Sequence, residues 1–387
     1  MKQIYLDNAS TSFPKPECVP KAMYEYMTEL GCNINRGCYD NAYSVEEKIY
    51  ETRQLIADMF GAKDCKNVVF TKNITESLNI IIKGFLKSGD HVLVSSMEHN
   101  SVMRPLTQLV DAGISFSRIP CNEKGELQLH TLPSLIKPNT RAIILTHASN
   151  ICGTIMPIKE VGDFCQKNSI EFIVDSAQTA GIVEINMQEM NISALAFTGH
   201  KGLLGPQGVG GFILSDEMIM KVEPLISGGT GSLSHTEDIP SFMPDRFEAG
   251  TLNIPGVIGL NAALLWINNN ESGSLFSHEL LLANQFIKGI EPLEEKGLIK
   301  IIGLKNSNLR TGVVSILPLN IDPAELAYSL DSKYKIMTRV GLHCAPNAHK
   351  TVGTYPTGTL RFSFGYANDL SDVNAAVEAV TEIINGF

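Results

Sequence analysis

Apolar and polar positions along the chain follow one rule up to about residue 255 and another beyond it. In the first part, short runs rich in β-branched residues recur: "NVVF" (67–70), "DHVLVS" (90–95), "RAIILTH" (141–147), "EFIVDSA" (171–177), "ALAFTGH" (194–200) and "GGFILS" (210–215). Each is apolar without strict alternation, the pattern of a strand covered on both faces. Between them lie amphipathic stretches such as "ITESLNIIIKGFLKSG" and "IKEVGDFCQKNS", the second introduced by a proline. This alternation predicts an α/β fold built on a mostly parallel sheet. After residue 255, long helical stretches (256–270 and 275–296) precede short strands in "LIKIIG" and "RTGVVSILPL" and the helix "DPAELAYSL", which predicts a smaller α+β domain. The expected division is residues 15–255 for the large domain, with 1–14 and 256–387 forming the small one.

The chain has 387 residues, 44% hydrophobic and 19% charged, enough to bury more than one core. A net charge of −10 argues against nucleic acid or an anionic membrane as the main partner. No apolar run approaches the roughly 20 residues that cross a bilayer. The start "MKQIYLDNAST" lacks the basic and apolar regions of a secretory signal. The eight cysteines show no CxxC pair and read as reduced thiols, so a cytoplasmic protein is expected.

Ligands of open α/β sheets sit beyond the carboxyl ends of the strands, and chemistry-bearing residues fall at those ends here. Asp175 closes "EFIVD", with Gln178 three residues on; His200 and Lys201 follow "ALAF"; His99 follows "HVLVSSME"; Asn150 follows "IILTHAS". "TKNITES" follows a strand and opens a helix, where Thr75, Glu76 and free amides suit a phosphate. Taken singly, Lys201 reads as a solvated lysine, Asp175 as a helix cap and His99 as a loop histidine. Together, a phosphate cradle, a carboxylate, an amine and a flat imidazole match what pyridoxal phosphate requires. The glycine-rich "GPQGVGG" leads into a strand and opens no helix, which weakens a dinucleotide reading.

The segments "YLDNAST", "MEHNSV", "SNICGT", "VDSAQ", "TGHKGLLGPQGVGG", "RFEAGTLN" and "RVGLHCAP" resemble the class V aminotransferase superfamily of fold-type I pyridoxal-phosphate enzymes. Within it they are closest to cysteine desulfurases of the group that holds Suf-type enzymes and selenocysteine lyases. The resemblance implies Lys201 as the Schiff-base lysine, Asp175 as partner of the pyridine nitrogen, and Gln178 as donor to the ring hydroxyl. It implies His99 stacked on the ring with Asn150 beside it, and Thr75, Thr198 and His200 on the phosphate. Thr251 would reach the phosphate of a neighbouring subunit, which implies a homodimer with shared active sites. Arg361 would bind the substrate carboxylate, with Asn35, Arg36 and Arg339 at the substrate entrance.

Cys344 decides the reaction that the resemblance implies. Its thiolate would take sulfur from L-cysteine, leaving a persulfide and releasing alanine; release of selenide from L-selenocysteine would need only a general acid at that position. Nearby cations favour a thiolate, and Arg339 and His343 are close in sequence. Cys38, two residues after Arg36, is a rival nucleophile. A zinc site from His343, Cys344 and His349 has suitable ligand types but no fourth ligand, so no metal is expected. A sulfur-acceptor protein follows as partner, and sulfur metabolism such as iron–sulfur cluster assembly as context. The alternatives are a selenocysteine lyase or aminotransferase on the same scaffold, and a non-catalytic sulfur-carrier scaffold, which the intact Lys201 and Asp175 oppose. Leu342 and Ser176 depart from the family's usual histidine and glycine, as does the glycine- and proline-rich segment "APNAHKTVGTYPTGT" after the cysteine.

Overall fold

The structure is a computed structural model that describes residues 2–386 except Asn35, Arg36, Cys38, Glu271 and Asn306. In chain order its strands are β1 (Ile4–Tyr5), β2 (Val68–Thr71), β3 (His91–Ser95), β4 (Ser115–Ile119), β5 (Thr140–Thr146), β6 (Glu171–Asp175) and β7 (Ala194–Thr198). They continue as β8 (Gly210–Leu214), β9 (Ile299–Ile302), β10 (Val313–Pro318), β11 (Ile336–Met337), β12 (Arg339–Gly341) and β13 (Thr359–Ser363). Seven of them form one sheet in the order β2-β8-β7-β6-β5-β3-β4. Pairings β4–β3, β3–β5, β5–β6 and β6–β7 are parallel, while β8 runs antiparallel to both β7 and β2.

The inner strands are apolar along most of their length because both faces are covered. Leu93, Ile143, Leu145, Phe172, Val174, Leu195 and Phe197 point into one apolar cluster. Their neighbours Val92, Val94, Ala142, Ile144, Ile173, Ala194 and Ala196 point into another. This is the period-two split of side chains between sheet faces, with no face left for water. Helices supply the covers. Ile74–Phe85 is capped by Asn73, whose side chain accepts from the Glu76 amide, and it buries Ile74, Leu78, Ile81 and Phe85. Ile158–Asn168 begins after Pro157 and ends on Ser169 in a left-handed conformation. A Cβ at Gly162 of that helix would lie 1.8 Å from the Met190 carbonyl oxygen, so this close approach to the 187–192 turn requires glycine.

A second sheet, antiparallel and ordered β12-β13-β10-β9, carries its own apolar core. Phe286 from the helix Ser272–Glu295 meets Phe362 and Phe364, with ring centroids 4.6 and 5.5 Å away. Chain start and chain end meet here: β1 pairs in parallel with β11, and the Ser363 amide donates to the Leu6 carbonyl at 2.7 Å. No helix among the described residues is long and apolar enough to cross a membrane.

The segment that leads to Thr251 is fixed by a buried ion pair. Arg53 donates from both terminal nitrogens to Glu248, at 2.8 and 2.6 Å, and to the Val68 carbonyl at 2.5 Å. Glu248 also accepts from the Phe70 amide at 2.7 Å, so the pair ties a long helix and the residues after β8 to strand β2. Both side chains are buried. Removing one partner leaves the other charge uncompensated in the interior. Glu248→Ala is therefore expected to cost about 3–5 kcal/mol of unfolding free energy. Urea denaturation of the variant beside the wild type measures it.

Candidate active site

The carboxyl ends of β3, β5, β6 and β7 gather the residues picked out along the sequence. Strand β6 ends on Asp175, which is buried. Its Oδ1 accepts from the Ala177 amide at 2.9 Å and its Oδ2 from the Ser101 hydroxyl at 3.4 Å. Beyond β3, His99 caps the helix Asn100–Leu109: its Nδ1 accepts from the Ser101 amide at 3.0 Å and lies 2.9 Å from Ser101 Oγ. Ser101 thus links the imidazole to the carboxylate. Because Nδ1 is an acceptor, the ring proton sits on Nε2. Burial, with Lys201 and two arginines nearby, pulls His99 down to about 4, so the ring is neutral at ordinary pH.

After β7, a turn presents His200 and Lys201. Burial lowers the Lys201 amine to about 8; Asp175 opposes that shift, while Arg361 and Arg339 add to it. Asp175 is pushed up by burial and held back partly by the Ala177 amide and Lys201. The turn is anchored through the carbonyl oxygen of His200, which accepts from the Ser12 amide (3.0 Å), Thr11 Oγ1 (3.1 Å), Ser12 Oγ (3.3 Å) and Lys15 Nζ (2.8 Å). That clamp was not visible in the sequence, because it joins residues about 190 positions apart through a backbone carbonyl.

Arg361 on β13 is 2% exposed. Its Nη2 donates to Asp7 Oδ1 at 2.9 Å and Ser10 Oγ at 2.7 Å, and its Nη1 to the Asn150 carbonyl at 3.0 Å. Arg339 pairs with Arg361 in the β12–β13 register and donates to Ser10 Oγ at 2.6 Å. Asp7 therefore faces both guanidinium groups. Asn150 also reaches the cysteine segment, its amide donating to the His343 carbonyl at 2.8 Å. The Cys344 carbonyl accepts from the Asn100 amide at 2.8 Å, while the cysteine itself is exposed. His343 does not supply the positive charge expected from its sequence position: burial first, and then Arg361, hold it far below its ordinary value and neutral.

Thr75 is exposed on the first turn of its helix, and the Glu76 carboxylate turns back to accept from the Lys72 amide at 2.7 Å. The Gln178 amide donates to the Ala9 carbonyl at 3.1 Å. Thr251 is exposed beside a groove of about 610 Å³ lined also by Asn33, Tyr39 and Glu248. Asn35, Arg36 and Cys38 lie outside the described residues. Among the described residues, no group of three or more potential ligands could hold a metal ion.

Glu98, beside His99, was missed by reading the sequence. Its buried carboxyl accepts from Ser95 Oγ at 2.5 Å and from the Thr146 amide at 3.0 and 3.1 Å, tying the end of β3 to the end of β5. Burial pushes it up to about 8.

The edge also has polar atoms left for an anionic group. Thr198 Oγ1 and His200 Nδ1 are buried without a hydrogen-bond partner. Thr198, Gly210 and Thr71 are in register across β7, β8 and β2, which brings the start of the helix Ile74–Phe85 beside Thr198. A helix N-terminus and orphaned donors at one spot suit a phosphate.

A lysine with a lowered pKa and a buried carboxylate at the edge of a doubly covered sheet define an α/β enzyme fold with one composite active site. The chain belongs to the class-V aminotransferase family, whose family model matches residues 4–376. It is 33% identical to a probable cysteine desulfurase of Methanothermobacter thermautotrophicus, over 98% of this chain and 94% of that one. To the Escherichia coli cysteine desulfurase CsdA it is 30% identical, over 97% and 93%. A solved apo structure of cysteine desulfurase from Thermococcus onnurineus NA1 matches with a TM-score of 0.92 at 33% identity, covering 100% of this chain and 95% of that one. The solved structure of the Escherichia coli enzyme in its S-sulfonic acid form gives 0.88 at 28% identity, over 99% and 95%. The fold is accordingly fold-type I: a mostly parallel sheet between helices, with a smaller α+β part.

The buried titratable groups set a pH dependence of stability. Burial lowers His91, His99, His147, His200, His343 and His349, several of them to about 4. Between about 4 and 6.5 the unfolded chain therefore binds more protons, so stability falls as pH drops through that window. Glu98 and Glu279 are pushed the other way, to about 8, so the folded chain binds more protons above 4.5 and stability falls as pH rises towards 8. Below 6.5 the histidines outnumber the glutamates; just above it the glutamates prevail, and Lys15 and Lys201, whose amines burial lowers to about 8, oppose them as pH nears 8. The melting temperature should be highest near pH 6.5 and decline on both sides, as a calorimetric series from pH 4 to 8 would measure.

Proposed function

We propose that this chain is a pyridoxal-phosphate-dependent cysteine desulfurase that converts L-cysteine to L-alanine and leaves the sulfur on Cys344 as a persulfide. The observation that carries the reading is the placement of Cys344. An exposed thiol sits on a turn whose carbonyls are held by Asn100 and Asn150, and the Asn150 carbonyl in turn takes a hydrogen bond from Arg361. Anchor and thiol are thus linked through one residue. When bound, pyridoxal phosphate supplies an electron sink for the substrate's α-carbon.

The chain's residues take the following roles in this reading. Thr198, His200 and the helix start at Thr75 and Glu76 would hold the phosphate. Asp175 would serve the ring nitrogen, Gln178 the ring hydroxyl, and neutral His99 the ring face. Lys201, with its amine near 8, has an unprotonated fraction at neutral pH and so would be the residue to hold the cofactor and to take and return the substrate's α-proton. Arg361 exchanges Asp7 for the substrate carboxylate, with Arg339 beside it at the entrance, a role the family resemblance also gives to Asn35 and Arg36. The Cys344 thiolate attacks the substrate sulfur: an S–S bond forms as the C–S bond breaks, the carbon keeps the bonding pair, and a proton completes alanine.

The same reading divides the chain into residues 15–255 and residues 1–14 with 256–387. It makes the enzyme a cytoplasmic homodimer in which Thr251 serves the neighbouring site, in keeping with its exposure and with exposed Tyr24, Met27, Tyr43 and Tyr50. A protein thiol would accept the sulfur.

Two substitutions test the reading. Cys344→Ala should keep its bound-cofactor absorbance, carry no added sulfur by mass spectrometry after exposure to cysteine, and make alanine at least about 100-fold more slowly. Unchanged alanine production would remove Cys344 from the mechanism. Asp175→Asn should fold with a loss of about 1.5–3 kcal/mol at most, the value of one hydrogen bond to a charged group. Its turnover should nevertheless fall by several powers of ten, because an amide cannot hold the ring nitrogen protonated. Turnover near wild type would reduce Asp175 to a structural cap.

A further inference from the structure

We propose that His349 is a positioning residue for Cys344: packed beneath the buried His343 ring, it holds the cysteine turn in its left-handed conformation. The inference rests on the reading of Cys344 as sulfur acceptor, and it assigns a task to the segment after the cysteine that departs from the family pattern.

The turn is strained. His343 and Cys344 are consecutive non-glycine residues with φ of 45° and 59°. Side chains disfavour this region, and such residues persist only where their surroundings over-determine them. On the backbone side the restraints are the Asn150 amide on the His343 carbonyl, the Asn100 amide on the Cys344 carbonyl, and the Ala345 amide on the Leu342 carbonyl at 2.9 Å. These fix the carbonyls. The side-chain restraint falls on His343 alone, because Cys344 is exposed.

The His343 ring is buried with Nε2 3.2 Å from Thr359 Oγ1. Against it lies His349, which is 0% exposed, with ring centroids 5.8 Å apart and planes tilted by 34°. His349 is in turn fixed: its Nδ1 is 2.6 Å from Thr354 Oγ1, and its carbonyl accepts from the Thr354 amide at 2.8 Å. Burial keeps both imidazoles uncharged, so they pack as neutral rings. Interiors are close-packed and a vacated volume is filled by whatever neighbour can move. Without the His349 ring, that neighbour is the His343 side chain. Its descent releases the strained turn and shifts the thiol relative to Asn150 and Arg361. The carboxylate anchor stays where it is, since Asp7 and Ser10 hold Arg361 independently of this pair.

The test uses the enzyme with its cofactor bound. In His349→Ala, hydrogen exchange at the Asn100 amide should quicken at least about tenfold, and kcat for alanine formation should fall about tenfold or more, as misplacing a reacting group does. KM for cysteine should change less than about twofold, because substrate capture lies elsewhere. His349→Gln, which keeps a polar group for Thr354, should recover part of both effects. Should His349→Ala fail to fold, Thr354→Val removes the same support more gently and should shift exchange and kcat in the same direction. Exchange at Asn100 equal to wild type in the folded variants overturns the proposal, as does a loss that appears wholly in KM. The exchange readout is independent of the reaction. An active Cys344→Ala enzyme would therefore sink the function proposed above, while unchanged exchange at Asn100 would sink the role of His349 whatever the reaction.

Discussion

Lys201 and Asp175 are both withdrawn from water at one edge of the large sheet, and burial works against the charge on each. Burial lowers the amine and raises the carboxyl; the Ala177 amide, then the attraction of Lys201, offset the cost at Asp175, and Asp175 offsets it at Lys201. Much of the fold serves to keep them in place. Strands β6 and β7 are adjacent and parallel, with Asp175 opposite Ala196, so both residues emerge on the same edge. Beyond β7 the chain must turn within a few residues, and the clamp on the His200 carbonyl fixes that turn from outside the sheet.

The clamp comes from the first fifteen residues, which also supply Asp7 and Ser10 to the two arginines. The amino-terminal segment thus touches the lysine turn through Thr11, Ser12 and Lys15, and the small sheet through Asp7, Ser10 and the Leu6–Ser363 bond. It shares that bridging with Asn150 and Asn100, which bond Arg361 and the cysteine turn, and with Ile151, whose carbonyl accepts from Ser315 Oγ. Asp7 also has a chemical place in the arrangement. It neutralises two guanidinium groups that would otherwise repel each other, and it occupies Arg361 with the functional group that a substrate would bring.

Reading the sequence located the large sheet well. The runs at 67–70, 90–95, 141–147, 171–177, 194–200 and 210–215 match β2, β3, β5, β6, β7 and β8 to within a residue or two, because strands buried on both faces leave long apolar signatures. Strand β4, "SFSRI", left none: at the sheet edge, several of its positions are exposed or half-exposed. The direction of β8 was equally hidden, since an apolar run reads the same whichever way it points. In the site, residues at strand ends stood out, whereas Asp7, Lys15 and Glu98 did not. Their partners lie far away in sequence or are backbone atoms, and neither kind of contact leaves a pattern in the chain.

The distance between the Cys344 thiol and the Arg361 guanidinium depends on a single strand register. Arg339 on β12 pairs with Arg361 on β13, Gly341 pairs with Thr359, and the cysteine turn begins directly after β12. A slip of one residue would rotate Arg361 to the opposite face of the sheet, away from Asn150, and would carry Cys344 along the strand. Pairing Ser315 of β10 with the same Arg361 from the other side guards that register, because β13 is then fixed by two neighbours at once. The small sheet accordingly sets, through backbone hydrogen bonds, a spacing that side chains alone could not hold, and the strained turn adds to it the direction in which the sulfur faces.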